Sequence, residues 1–440
     1  MCVHDHENSD VRLPAVARRN VLAGAAVLAG IAGAGVASAP TAAAGNDRDG
    51  SGADRRSGRV PAPLIVEGGA LVDPETGTIT PDAVVVFARG RVVAAGSRDE
   101  TRRAVREHGR GTRVLQADGR WIVPGLIDVH VHNNTLEDAA TVLRAGATST
   151  RSGSSLFYQD IALREYSKWA PGRVPRMLAA GAFVTPDLGD TILGDPELTP
   201  LAALPDGVRA PADLARVTRV NLARGADVIK TRANPRAGLP EQDPLELVYD
   251  REQLAAVVKA AGKAGVLCHA YSEKGIDGAV RAGVRSIEHG VFVSEKTLDE
   301  MARRGTYFTP TVATIDGMRR SADPVLRARG TEYVPVLMEA IAEAHRRGVP
   351  VVAGTDSFGT AVDAIGKETR FLHEAGLSPL EALRSATTRA ARLFGWSRAG
   401  RLVPGAFADA VIVDANPLDD GAALEKVKGV IAQGVVVRAD

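Results

Sequence analysis

An α/β fold, a (β/α)8 TIM barrel with a small β-sandwich built from both chain ends, follows from three features of the 440-residue sequence. Short apolar strands alternate with amphipathic helices through residues 124–397, and eight such strands are counted. Both flanks, residues 60–123 and 398–440, are dense in short β patterns broken by turn residues. Four of the nine histidines fall at the ends of the central strands. A doubly wound parallel sheet is the competing arrangement.

Residues 1–44 are expected to stand outside the fold. Arg18-Arg19 precedes an Ala/Gly-rich apolar run, and Ala37-Ser38-Ala39 and Ala42-Ala43-Ala44 offer cleavage sites. That layout is a secretory signal, and the arginine pair points to the twin-arginine export machinery. The run is too short and too poor in Leu and Ile for a stable membrane span. Cleavage after Ala44 would leave residues 45–59 as a polar, disordered tether and give an extracytoplasmic bacterial protein. Of the two cysteines, Cys2 would leave with the signal, so Cys268 has no intrachain partner. Formal net charge is +1, which gives no reason to expect nucleic acid as a partner. A homo-oligomer is compatible with the sequence. Only 9 of the 54 basic residues are Lys, which marks any Lys in an apolar strand.

Residues 60–123 carry Leu64-Ile65-Val66, Ala70-Leu71-Val72 and Arg91-Val92-Val93, separated by Asp73-Pro74 and Gly90. Residues 410–413 and 430–437 have the same texture, so the two ends are expected to pair. The first barrel strand is Ile-Val-Pro-Gly-Leu-Ile-Asp-Val-His-Val-His, residues 122–132. Strand alternation puts Asp128, His130 and His132 on one side. Two imidazoles so spaced can close on one metal ion or pack as hydrogen-bonded core residues. Further strands are expected at 148–151, 177–183, 227–232, 266–271, 286–290, 307–311 and 351–356. Helical patterns lie between, for example at 136–144, 211–224, 251–264, 295–304, 334–346 and 379–394, with Gly or Pro at most junctions. A Pro-containing insert at 187–208 reads as a lid.

Active sites of such barrels sit where strands end at the C-terminal face. There the sequence places His130 and His132 on strand one, Lys230 on four, His269 on five, His289 on six and Asp356 on eight. Histidines and a carboxylate gathered at one rim suit a metal centre. Lys230 is the odd member, since an ammonium cannot bind a cation. A desolvated Lys loses its proton more readily, and its amine can then take up carbon dioxide as an anionic carbamate. Otherwise it is a buried Lys paired with a carboxylate.

The segments Pro124-Gly125-Leu126-Ile127-Asp128-Val129-His130-Val131-His132, Ile229-Lys230, His269-Ala270-Tyr271, Ile287-Glu288-His289-Gly290 and Gly354-Thr355-Asp356 resemble the amidohydrolase superfamily. Within it they are similar to the imidazolonepropionase-like and Xaa-Pro dipeptidase-like branch, over residues 60–440. The run from Gly400 to Asp409 resembles that family's return to its β-sandwich. The resemblance implies that His130, His132 and Asp356 hold a buried metal, His269 and His289 a more exposed one, and carboxylated Lys230 bridges them. It implies two divalent ions, zinc, with a bridging hydroxide as nucleophile and Asp356 as catalytic acid and base. Tyr271 resembles a branch residue that touches the substrate carboxylate. Arg151 and Arg232 also end strands and suit a carboxylate.

Two segments depart from the branch pattern. Thr185-Pro186-Asp187-Leu188-Gly189-Asp190 stands where relatives carry Gly-Gly-His-Gly, and Thr150-Arg151-Ser152 replaces Val-Arg-Asp. Both lie in substrate-shaping loops. The expected activity is exported, binuclear hydrolysis of small amide substrates, namely dipeptides (Xaa-Pro among them) or N-acyl amino acids. The alternatives are a mononuclear cyclic-amide hydrolase, a lactone or phosphotriester hydrolase, and a secreted metal-binding protein without catalysis.

Overall fold

The computed structural model describes residues 60–192, 195–359 and 362–440. The signal and tether expectations lie outside these residues. The leading segment forms β1 (Leu64–Val72), β2 (Ile79–Ala88), β3 (Arg91–Gly96), β4 (Arg113–Gln116) and β5 (Trp121–Pro124). Then come β6 (Leu126–His132), β7 (Ala147–Ser152), β8 (Arg176–Leu178), β9 (Ile229–Arg232), β10 (Val266–Ala270), β11 (Ser286–His289), β12 (Tyr307–Thr309) and β13 (Ser357–Phe358). The chain ends in β14 (Ala410–Val413), β15 (Val427–Ala432) and β16 (Val435–Ala439).

The two chain ends do pair. β14 runs antiparallel to β5, with Ala410 opposite Pro124 and Val413 opposite Trp121. The result is one eight-stranded sheet, ordered β16-β15-β14-β5-β1-β2-β3 with β4 on β1. Two separate hydrogen-bonded sheets, as the expected sandwich has them, are not shown among the described residues. Here β1 joins both halves, because its register shifts between Glu67 and Gly69 let it pair with β4 and then β5.

β6 to β12 are parallel and alternate with helices, an α/β arrangement of the TIM-barrel type. Their ladders fall into two sheets, β13-β6-β7-β8 and β12-β11-β10-β9. Isolated hydrogen bonds span the seams, Val184 N to Lys230 O at 2.9 Å and Val352 N to Phe308 O at 2.9 Å. The third strand, expected at 177–183, stops at Leu178 because side chains take its backbone donors. Asp227 accepts from Ala179 N, Asp160 from Ala180 N and Gly181 N, and Asn221 from Ala182 N. The eighth, expected at 351–356, is reduced to a bridge at Val351 and the short β13. There Asp128 accepts from Thr355 N, while Asp356 N donates to His130 O at 2.7 Å.

The helix expected at 379–394 divides into Pro379–Ser385 and Thr388–Phe394. The 187–208 insert is packed rather than lid-like, with Leu188, Leu198, Leu201 and Val208 in the main core. No helix among the described residues is long and apolar enough to cross a membrane.

Candidate metal centre

β6 projects His130 and His132 toward Asp356, whose Oδ1 lies 3.4 Å from His130 Nε2 and 3.2 Å from His132 Nε2. These three offer ligand atoms close enough for one ion. Lys230 Nζ stands 3.0 Å from His130 Nε2. The His289 ring centroid is 5.5 Å from that of His130 and 4.5 Å from that of His269. All six residues expected as ligands therefore gather at one end of the barrel.

Each histidine has one nitrogen anchored. His130 Nδ1 meets Glu288 Oε2 at 2.6 Å, and His132 Nδ1 meets Ser154 O at 3.1 Å. His289 Nδ1 meets Thr311 Oγ1 at 2.7 Å, a hydroxyl whose own proton is donated to Pro310 O. His269 is held the other way round, with Nε2 against Pro235 O at 2.9 Å. Acceptors at these positions put the proton on the anchored nitrogen. The lone pair is thus left on Nε2 of His130, His132 and His289, and on Nδ1 of His269. Burial keeps the His130 and His289 rings neutral, pushing His130 down to about 4, with the Lys230 charge adding to it, and His289 to about 3. His269 is likewise held well below its ordinary range by burial and by His289.

Burial also pulls the Lys230 ammonium down to about 8, against Glu288 and Asp356, which favour the charge. For Asp356, burial works upward, but His130, His132 and His289 prevail and keep the carboxyl well below its usual range. Anionic Asp356 among neutral imidazoles is a donor set that fits divalent metal. Gly153 shows the space is reserved. A Cβ there would lie 2.7 Å from Nε2 of both His130 and His132.

Backbone conformation serves the same geometry. Strand alternation would send neighbours Glu288 and His289 to opposite faces, yet both reach the centre. His289 has φ of +72°, and Asp356 (+55°), Thr311 (+54°) and Ser154 (+108°) share the left-handed region. Non-glycine residues there carry strain of about 1–3 kcal/mol each.

Arg232 and Tyr271 stand beside these ligands. Arg232 pairs in register with His269, and its guanidinium lies 4.3 Å over the Phe183 ring. Tyr271 stacks on His289 at 5.0 Å. Arg151, expected at the substrate, is committed inside the barrel. Its Nε donates to Val129 O, Nη1 to Ser286 Oγ and Nη2 to Glu288 Oε1 at 2.9 Å, and it is 2% exposed. Glu288, Thr311 and Gly153 support the ligands although sequence reasoning gives none of them a role, Glu288 standing there only within the Ile287–Gly290 segment. Glu288 had a signal, a carboxylate in a strand otherwise built for a core.

The family model for the amidohydrolase family matches residues 121–437. The chain belongs to the amidohydrolase family. Ochratoxinase from Aspergillus niger is 28% identical over 238 residues, 51% of this chain and 48% of that one. This chain thus spans about half the length of that relative. An imidazolonepropionase from Symbiobacterium thermophilum is 27% identical over 413 residues, 82% of this chain and 88% of that one. A solved prolidase complexed with N-methylphosphonate-L-proline superposes with a TM-score of 0.72 at 26% identity, over 86% of this chain and all of that one. Among amidohydrolases the Gly-Leu-Ile-Asp-Val-His-Val-His strand here thus has relatives acting on different substrates.

Proposed function

We propose that this amidohydrolase is an exported, two-metal hydrolase of dipeptides, Xaa-Pro among them, or of N-acyl amino acids. The observation that carries the metal reading is the anchoring of four histidines, which leaves four lone pairs around Asp356 and Lys230. His130, His132 and Asp356 would hold one ion, His269 and His289 a second, and Lys230 as its carbamate would face both. Divalent metal, zinc in this reading, lowers the pKa of water and polarises a carbonyl. Asp356, kept ionised by its neighbours, accepts the proton of the attacking water at its carboxylate and returns it to the leaving nitrogen. Arg232, steadied by Phe183, and Tyr271 supply the cation and hydroxyl for a free carboxylate at the substrate's end. The likeness to a prolidase that binds a proline phosphonate supports that substrate class.

The test is a screen of dipeptides and N-acyl amino acids with zinc- and bicarbonate-loaded protein, read by mass spectrometry. Release of a free C-terminal amino acid, lost with chelator and in Asp356→Asn, is the expected result. No turnover by protein shown to hold metal would remove this substrate class. A mononuclear cyclic-amide hydrolase is the second reading, favoured by the 3.0 Å approach of the Lys230 amine to His130 Nε2. One metal per chain instead of two would select it. Export is tested by fusing residues 1–44 to a folded reporter and replacing Arg18-Arg19 with Lys.

A further inference from the structure

A cavity of about 520 Å³ opens at the other end of the barrel, where β8 to β11 begin. Six basic residues line it, Arg151, Arg164, Lys168, Arg176, Lys263 and Arg285, against one acid, Asp227. The chain as a whole carries 54 basic and 53 acidic residues, so this imbalance is local. Four of the six have a carboxylate partner, Arg164 in Asp227, Lys168 in Glu165, Arg176 in Asp409 and Arg151 in Glu288. Arg285 is different. Its hydrogen bond, at 3.5 Å, is to the neutral Leu393 O, and it has no carboxylate partner among the described residues. A neighbouring cavity of about 540 Å³ shares Arg285 and Lys263, adds Arg304 and has no acid in its lining.

Apart from Ser167, the side chains of the rest of the wall are apolar. Met177, Leu267, Phe394 and Trp396 line the cavity and are themselves buried in the fold. The indole N–H of Trp396 is buried with no acceptor among the described residues. A divalent cation is repelled by such a lining, and a bare inorganic anion would leave the apolar wall unused. We infer that this cavity is a second binding site, for a small organic anion with an apolar body, whose charge meets Arg285 while its body lies on the Met177–Trp396 wall. Nothing in the metal centre's ligand set reaches this end, so binding here is independent of which bond the other end cleaves.

Calorimetric titration of the full chain with naphthalene-2-carboxylate tests this. The carboxylate should bind saturably, and acetate and naphthalene-2-carboxamide, each lacking one half of the recognition, roughly tenfold more weakly or worse. Arg285→Glu should weaken binding roughly tenfold or more, while Arg285→Lys should stay within about threefold of wild type. Arg232→Met, altered at the opposite end, should bind as wild type does. Absence of saturable binding would overturn the site. So would acetate binding as well as the naphthoate, or an affinity that survives Arg285→Glu but is lost in Arg232→Met.

Discussion

Gly153 has no side chain because the space its Cβ would fill belongs to two lone pairs. Its backbone is not in the left-handed region, so alanine is tolerated by the chain, and the nearest atoms its Cβ would meet are those of His130 and His132. Gly153→Ala should therefore fold with near-native circular dichroism, lose bound metal and lose roughly 100-fold in kcat/KM. Full metal content in that variant would refute the assignment of these two histidines. Glu288 joins two tasks, orienting His130 with one oxygen and neutralising Arg151 with the other. Burial alone would raise its carboxyl, but Arg151, His130 and Lys230 outweigh it and hold the group ionised. Glu288→Gln should weaken metal binding roughly 10- to 100-fold. It should also cost about 3–5 kcal/mol of stability by leaving Arg151 unpaired. The double variant Glu288→Gln/Arg151→Met separates the tasks. Urea unfolding of the metal-free protein should show stability regained, while metal competition should show affinity still low. A double variant no more stable than the single one would mean that Arg151 is not the source of the loss.

Helix Val312–Met318 begins in the core, where it would leave bare N–H groups, and Glu368 answers them. Its Oε1 accepts from Val312 N at 3.0 Å and its Oε2 from Ala313 N at 2.8 Å. Two such donors favour the carboxylate, but complete burial opposes it and wins, raising the group to about 8. The folded state then binds a proton that the unfolded chain releases above its ordinary value of 4.5. Stability from this group is full below that value and is lost as pH rises toward 8, at up to about 1.4 kcal/mol per pH unit. Glu368→Gln forfeits one acceptor and starts lower, yet its melting temperature should fall less steeply than wild type between pH 5 and 8. Parallel curves would mean that Glu368 is ionised throughout. At this scale the sequence was legible where local pattern governs. β6, β9, β10 and β11 lie where apolar runs place them, and their ends carry the ligands. β8 and the eighth strand were not, because Asp160, Asn221, Asp227 and Asp128 divert backbone donors from positions distant in sequence. Arg151 was misread for the same reason, since its partner Glu288 lies 137 residues away. His345 and His373 show the converse, as helix histidines held by Glu381 and by Leu377 O and standing outside the ligand set of the metal centre.

The sheet from the chain ends and the barrel are not independent bodies. Val411, Val413, Val427 and Val430 of the sheet belong to the same buried cluster as Leu126, Val142 and Leu143 of the barrel. β5 passes into β6 through Gly125, where a Cβ would collide with Thr148 of β7 and Asp409 beside β14. Asp409 itself accepts from Arg176 Nε at 3.2 Å, which ties the sheet to β8. Fully burying one Val side chain contributes about 1.5–3 kcal/mol, so the four shared valines alone rival the net stability of a typical domain. Losing its partner should therefore leave either part unfolded. Calorimetry of the metal-free protein should accordingly show one unfolding transition, with calorimetric and van't Hoff enthalpies equal. Asp409→Ala, distant from every metal ligand, should lower that single melting temperature instead of creating a second peak. Two transitions, with metal binding surviving the first, would show that the barrel stands without the sheet and that the shared core does not couple them.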